Sequence, residues 1–310
     1  MGAFRSSKLL ALGAAVLGLL ALPAAAGAKS ACPKTATLAK KACELDIKAD
    51  RSLEEGKCLQ TADPAAAKAC QAEVKATAKE DRGDCADQLE ARRDLCEALA
   101  EDVYDPVLDP ADFVATIDNP YAPFAVGRTW VYEGTTKEGV ERVEIEVLDE
   151  TKTILGIEAR VVRDRAFLDD ELVEDTDDWV AQDADGNVWY LGEISRNYED
   201  GQLVDVEGSW EAGVDGAKPG FWMKAAPMVG DLYRQEFLLG EAEDAVEVLS
   251  LAEAVDVPAG SFPSCLQTRD FTPVEPDALE HKFYAPGVGL VLEVDPESGE
   301  RLELIEFTVP

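Results

Sequence analysis

Seven cysteines, one histidine and a surplus of carboxylates are the residues of this 310-residue chain best suited to chemistry. Six of the cysteines, Cys32, Cys43, Cys58, Cys70, Cys85 and Cys96, are separated by runs of 10, 14, 11, 14 and 10 residues, a palindrome centred on Pro64. A chain folded back at that point joins residues whose numbers sum to a constant. The pairs Cys58–Cys70, Cys43–Cys85 and Cys32–Cys96 all sum to 128. The symmetry selects one of the fifteen pairings that six cysteines allow. Zinc ligation would favour close pairs of the C-x2-C kind, and none occurs. Three nested disulfides are therefore expected.

Cys265 is left over, on the strand before the one that bears His281, the sole histidine. A nucleophile beside a base is one chemistry open to that pair. No nucleophile elbow, oxyanion loop or orienting partner accompanies it, so a buried structural thiol is the expectation. Together with Met223 or Met228, from GFWMKAAPMVGD, the same two residues would form a soft set suited to copper. Hard cations have a different candidate, the loop residues Asp183, Asp185 and Asn187, with Asp175, Asp177 and Asp178 on the strand before them. An EF-hand starting at Asp183 would need glycine at its sixth position and glutamate at its twelfth, where Val188 and Ile194 stand. An Asp-Gly hairpin turn accounts for the loop without a metal, which leaves weak Ca2+ binding as the cofactor expectation.

The elements that must position these residues differ along the chain. Residues 1–28 run from Arg5 and Lys8 through LLALGAAVLGLLAL to Ala26-Gly27-Ala28, the three-part pattern of a secretory signal. Lys29, three before Cys32, does not fit a lipidation site. Residues 29–103 contain no Phe, Tyr or Trp and carry 13 Lys and Arg against 16 Asp and Glu. The stretches 34–60 and 65–103 have helix-forming composition, with Asp63 as N-cap and Pro64 at the first helical position. Cysteine steps of 11 and 15 turn by only about 20° and 60° around a helix, keeping the cysteines on one stripe. Bridged Cα atoms lie closer than ordinary packed helices, so small residues should line that stripe, the alanines Ala31, Ala42, Ala69 and Ala86 next to the cysteines among them. The pairing is similar to CHCH-type hairpins in architecture alone.

Residues 104–127, with Pro106, Pro110, Pro120 and Pro123, read as a linker or strap. From Tyr104 onward 14 basic residues face 47 acidic ones, and all five Trp lie there. Such an excess repels nucleic acid and anionic lipid surfaces, and tolerates or seeks cations. Strand-like alternation fills 128–310, joined by turn dipeptides such as Asp185-Gly186, Asp200-Gly201 and Ser298-Gly299. Its candidates are 128–134, 139–150, 157–168, 171–182, 187–193, 202–211, 231–239, 243–257, 266–272, 280–285, 289–295 and 301–309, with 243–257 open to a helical reading. A dozen antiparallel strands exceed one flat sheet. The fold class is α+β: a disulfide-stapled antiparallel helical hairpin followed by a large curved antiparallel sheet or partial β-barrel.

The segments VPAGSF (257–262) and FYAPGVGLVLEV (283–294) resemble the end of exported bacterial domains of the DUF3108 type. The resemblance implies an extracytoplasmic β-rich domain and supplies no catalytic residue. The functional expectation is an exported, periplasmic or secreted, non-catalytic binding or structural-interaction protein. Its acidic β-domain takes cations or a basic partner. The alternatives are a periplasmic carrier of a hydrophobic ligand or lipid, with Trp and Phe lining a cavity, and a Cys265/His281 enzyme or copper-binding protein. No integral membrane segment is expected after signal removal.

Overall fold

The computed structural model describes residues 31–100 and 103–310, so the signal segment 1–28 lies outside the described residues. Helix α1 (Ala31–Cys58) and helix α2 (Pro64–Leu99) form the antiparallel hairpin. Asp63 caps α2, its carboxylate accepting the N–H groups of Ala65 and Ala66 at 3.3 and 3.1 Å. All three disulfides join the expected partners, with Cα separations of 5.8, 6.0 and 5.6 Å. Ala78 packs with Ile47 and Cys85 between the helices, and Ala36 and Ala39 are also buried on α1. Ala42, Ala69 and Ala86 are exposed instead, and Ala31 is half-buried. A residue next to a cysteine is rotated by about 100° around the helix, which turns it off the stripe.

Among the described residues the sheet has seventeen strands. Residues 104–127 are a strap rather than a free linker. Its short strand β1 (Phe113–Val114) pairs with Asp183 and Gln182, and the Gln182 side chain accepts the N–H groups of Asp118 and Asn119. Strands β2 (Thr129–Thr135), β3 (Val140–Ile154), β4 (Ile157–Leu168), β5 (Glu171–Asp183) and β6 (Val188–Ile194) follow as an antiparallel meander. Three short strands make a side excursion: β7 (Asn197–Glu199), β8 (Gln202–Asp205) and β9 (Trp210–Glu211). Strand β10 (Lys218–Met223) returns beside β6. The irregular segment of β11 (Leu232–Arg234) and β12 (Glu236–Phe237) pairs β10 through β12 and β13 (Ala245–Val257) through β11. Strands β14 (Gly260–Phe271), β15 (Leu279–Ala285), β16 (Gly289–Val294) and β17 (Arg301–Thr308) continue the meander, and β17 pairs with β2. The sheet is thereby nearly closed into a barrel, which leaves few free edges.

Residues 243–257, ambiguous in composition, are a strand from Ala245, held between β11 and β14. Pro258 and Ala259 form the tight turn of the β13–β14 hairpin, whose tip donates the Ala259 N–H to the Leu304 carbonyl. Strand β10 was not legible in the sequence, because Pro219 and Gly220 sit inside it. Pro219 is the second residue of the strand, opposite Glu236 and before the pairing with β6 begins at Gly220, a position that tolerates a missing donor.

The hairpin docks on the barrel through α2. Arg92 Nε and Nη2 both reach the Glu243 carboxylate, at 2.7–3.0 Å, with side chains 5% and 3% exposed. Gln88 donates to the Val274 carbonyl at 2.8 Å. No helix among the described residues is long and apolar enough to cross a membrane.

Candidate functional site

A cavity of about 370 Å3 lies inside the barrel, lined by residues from the strap and from strands around the ring. Nine of its lining residues are carboxylic acids: Glu141, Asp164, Glu174, Asp178, Glu193, Glu236, Asp244, Asp270 and Glu293. Its only basic residue is Lys282. The acids reach the interior by ordinary alternation on β4 (Val162, Asp164, Ala166) and β5 (Glu174, Thr176, Asp178). The intervening Arg163, Asp175 and Asp177 point outward, where Asp175 pairs with Arg163 and Asp177 with Arg196.

Two bulges break the alternation and add to the site. Between Val180↔Tyr190 and Trp179↔Gly192, Leu191 is an extra residue, so Tyr190 and Glu193 both face inward. Gly192 carries this shift at φ 137°, and a Cβ there would meet the Trp210 carbonyl oxygen at 2.4 Å. Between Tyr284↔Leu290 and Phe283↔Leu292, Val291 plays the same part, bringing Leu290 and Glu293 to the cavity together.

Lys282 sits in a cage of Glu280 at 3.0 Å, Glu293 at 3.4 Å and Asp270 at 3.9 Å. Burial works against its charge, but Glu280, Glu293 and Asp270 outweigh it and hold the ammonium above the ordinary lysine value. Lys282 in turn lowers Glu280. Burial still pushes Asp270 up to about 6 and Glu293 up to about 7, against the pull of Lys282.

The other seven acids have no Lys or Arg at ion-pair distance among the described residues. Burial first, then the charges of Asp178 and Glu174, hold Asp164 well above the usual carboxylate range. Burial first and then Asp244 and Glu193 do the same to Glu236, which is 6% exposed. Asp178, 5% exposed, is pushed up to about 7 by burial, against the hydrogen bond from Tyr190. Glu193 and Asp244 are raised, by burial first, and Glu141, at the rim, by burial and then Glu280.

Rings form the remaining wall. Tyr190 meets Trp210 and Trp222 edge-on, at centroid distances of 5.2 and 4.8 Å, and Phe124 of the strap meets Trp222 at 5.5 Å and Trp130 at 6.0 Å. Trp130 and Tyr132 are tied by hydrogen bonds to the carbonyls of Val288 and Leu290, at 2.7 and 3.0 Å. Trp130, Trp222 and Phe124 do line the cavity, together with its nine carboxyl groups.

The residues singled out in the sequence lie elsewhere. Cys265 is fully buried on β14 opposite Glu253, and its Sγ lies 3.6 Å from the Phe262 carbonyl. His281 pairs with Arg269, four residues further along β14, a separation of about 13 Å on the strand. The two are thus not neighbours, and burial raises the Cys265 thiol to about 11, away from the reactive thiolate. Met223 is buried on β10 opposite Val188, whereas Met228 is 65% exposed in the following loop, so the soft set is not assembled. Asp183 closes its own hairpin, its carboxylate accepting from the Asn187 backbone and side chain at 2.9 Å and from Trp189 Nε1 at 2.8 Å. Asn187 Oδ1 accepts the Ala225 N–H. Among the described residues no three His, Cys, Asp or Glu groups are placed to hold a metal ion.

The fold and site together define an α+β protein with an acid-lined barrel interior. No protein-family model matches the chain, and no curated protein matches it. A solved structure similar to it is a "putative lipoprotein" from Parabacteroides distasonis ATCC 8503, 14% identical, with a TM-score of 0.33 over 63% of this chain and 100% of that one.

Proposed function

We propose that the protein is an extracytoplasmic, non-catalytic binding protein that takes a cationic ligand into its barrel. The observation that carries this reading is that seven cavity carboxyls have no Lys or Arg at ion-pair distance among the described residues, beside one lysine caged by three acids. Buried acids that repel one another are costly, and an entering cation offsets that cost. The aromatic wall supplies faces on which a cation is further stabilised. Three disulfides fit an oxidising compartment. The segments 257–262 and 283–294 support kinship with exported β-domains of the DUF3108 type. A carboxylate lining favours a cation over a lipid or other apolar cargo.

Calorimetric titration with spermidine, tetramethylammonium, CaCl2 and a lysine-rich peptide tests the reading. At least one should bind with one-to-one stoichiometry and lose affinity in Glu193→Gln and Glu236→Gln. Failure of all four, or binding indifferent to both substitutions, would sink it.

A further inference from the structure

Two groups stand out among the nine cavity carboxyls, with Glu141, Asp164 and Glu174 on β3, β4 and β5 beside them. One, Asp270 and Glu293, stands with Glu280 around Lys282, which gives it a single ammonium. The other follows the ring up to the strand beside that group: Asp178 on β5, its cross-strand partner Glu193 on β6, Glu236 on β12 and Asp244 at the entrance to β13, next to β14. Neighbouring strands stand about 4.8 Å apart, so this second group is an arc extending over several strand spacings and not a point. Glu236 and Asp178 are more than nine-tenths buried, face the cavity and have no cation beside them among the described residues.

A single metal ion gathers six to eight oxygens within about 2.6 Å of one centre, which an arc does not offer. A monovalent ammonium would answer one carboxylate and leave the others facing one another. A chain with several ammonium groups, separated by short methylene runs, matches both features: the charges follow the arc and the methylenes lie against Tyr190 and Trp222. Lys282 displays the same chemistry within the fold, a primary ammonium on an aliphatic stem caged by carboxylates. At roughly 30 Å3 per water, the cavity has the room of about a dozen waters, which suits a ligand of similar heavy-atom count.

Resting on the cation-binding reading above, we infer that the ligand is a linear aliphatic polyamine, bound along the arc of Asp178, Glu193, Glu236 and Asp244.

The experiment is calorimetry at pH 7.5 and physiological salt with putrescine, spermidine, n-butylamine, tetramethylammonium and CaCl2, using wild type, Glu236→Gln and the exposed control Glu306→Gln. Salt matters because a chain of net charge −34 attracts polycations to its exterior as well. The inference expects one spermidine per chain, bound at least about tenfold more tightly than n-butylamine, weakened by about tenfold or more in Glu236→Gln and unchanged in Glu306→Gln. If n-butylamine, tetramethylammonium or calcium binds as tightly as spermidine and also responds to Glu236→Gln, the cavity takes cations but the polyamine assignment is wrong. If spermidine binds at many sites, equally in all three proteins, or not at all, the assignment falls as well. Circular dichroism melts of each variant check that an affinity loss is not a folding loss.

Discussion

Asp178 and Glu193 face one another across β5 and β6, and both approach the hydroxyl of Tyr190, at 2.5 and 2.7 Å. A phenol has one proton to give, so hydrogen bonds to both carboxyls require that one of them keep its own proton and donate it. The pair thus holds a proton at pH values where a solvated carboxyl has lost it, in line with Asp178 standing near 7.

A pH dependence of stability follows. Asp164, Asp178, Glu193, Glu236, Asp244, Asp270 and Glu293 are all raised in the folded state relative to ordinary carboxyls. The native state then binds more protons than the unfolded chain between about pH 4 and 7, so stability falls as pH rises through that window. Asp175, Glu280 and Asp295 are lowered and act in the opposite sense, but they are fewer. Urea denaturation should give a higher midpoint at pH 5 than at pH 8. A midpoint that rises over that interval contradicts the assignment.

Substituting an arc carboxylate should separate stability from binding. Glu236→Gln keeps the shape and removes one of the mutually repelling buried charges, so at pH 8 the variant should melt at the wild-type temperature or above it while losing ligand affinity. A marked fall in melting temperature at pH 8 would mean that the Glu236 charge is compensated within the fold.

The junction of hairpin and barrel has a different electrostatic character. Arg92 and Glu243 form a bidentate buried pair, and Glu243 also accepts the Gly240 N–H at 2.9 Å. Removing one partner strands the other, at a cost of about 3–5 kcal/mol. Arg92→Met should therefore destabilise strongly, and adding Glu243→Gln should recover part of the loss. Strict additivity in the double-mutant cycle would show that the pair does not couple.

The hairpin was legible because cysteine spacing is a long-range constraint written in residue numbers, and Asp63-Pro64 marked its turn. The meander was legible through its turns and period-2 strands. The cavity was not. Alternation tells which residues share a face, but here the inner face carries Asp164, Glu174 and Asp178 as well as Val143, Ile145 and Val162. A reading that places apolar residues inside assigns those acids to solvent. Glu193 and Glu293 were further hidden by the extra residues Leu191 and Val291, which reverse the face without any signal stronger than a lone glycine. Cys265, the cysteine outside the palindrome, and His281, the sole histidine, are conspicuous in the sequence, but the register places them apart.

Cys265 should behave as the inert thiol its setting makes it. With full burial and a raised pKa it should resist iodoacetamide at pH 8 for hours and react fully in denaturant, one thiol per chain if the six others are bridged. Rapid native labelling would place it at an accessible surface.

Lys282 provides the last test, because it is the cavity's internal cation. In Lys282→Met, Glu293 and Asp270 lose the partner that holds them down and shift further upward. At pH 5 both can take up protons, so the substitution should cost little. At pH 8 they must either ionise without a partner or bind protons against the solution, so the variant should be several degrees less stable relative to wild type than at pH 5. An added diamine that enters the cavity should restore part of the loss at pH 8 by supplying the missing ammonium, and tetramethylammonium, which cannot donate hydrogen bonds to the cage, should restore less. Equal destabilisation at both pH values would show that Lys282 acts by packing, with its charge playing no part.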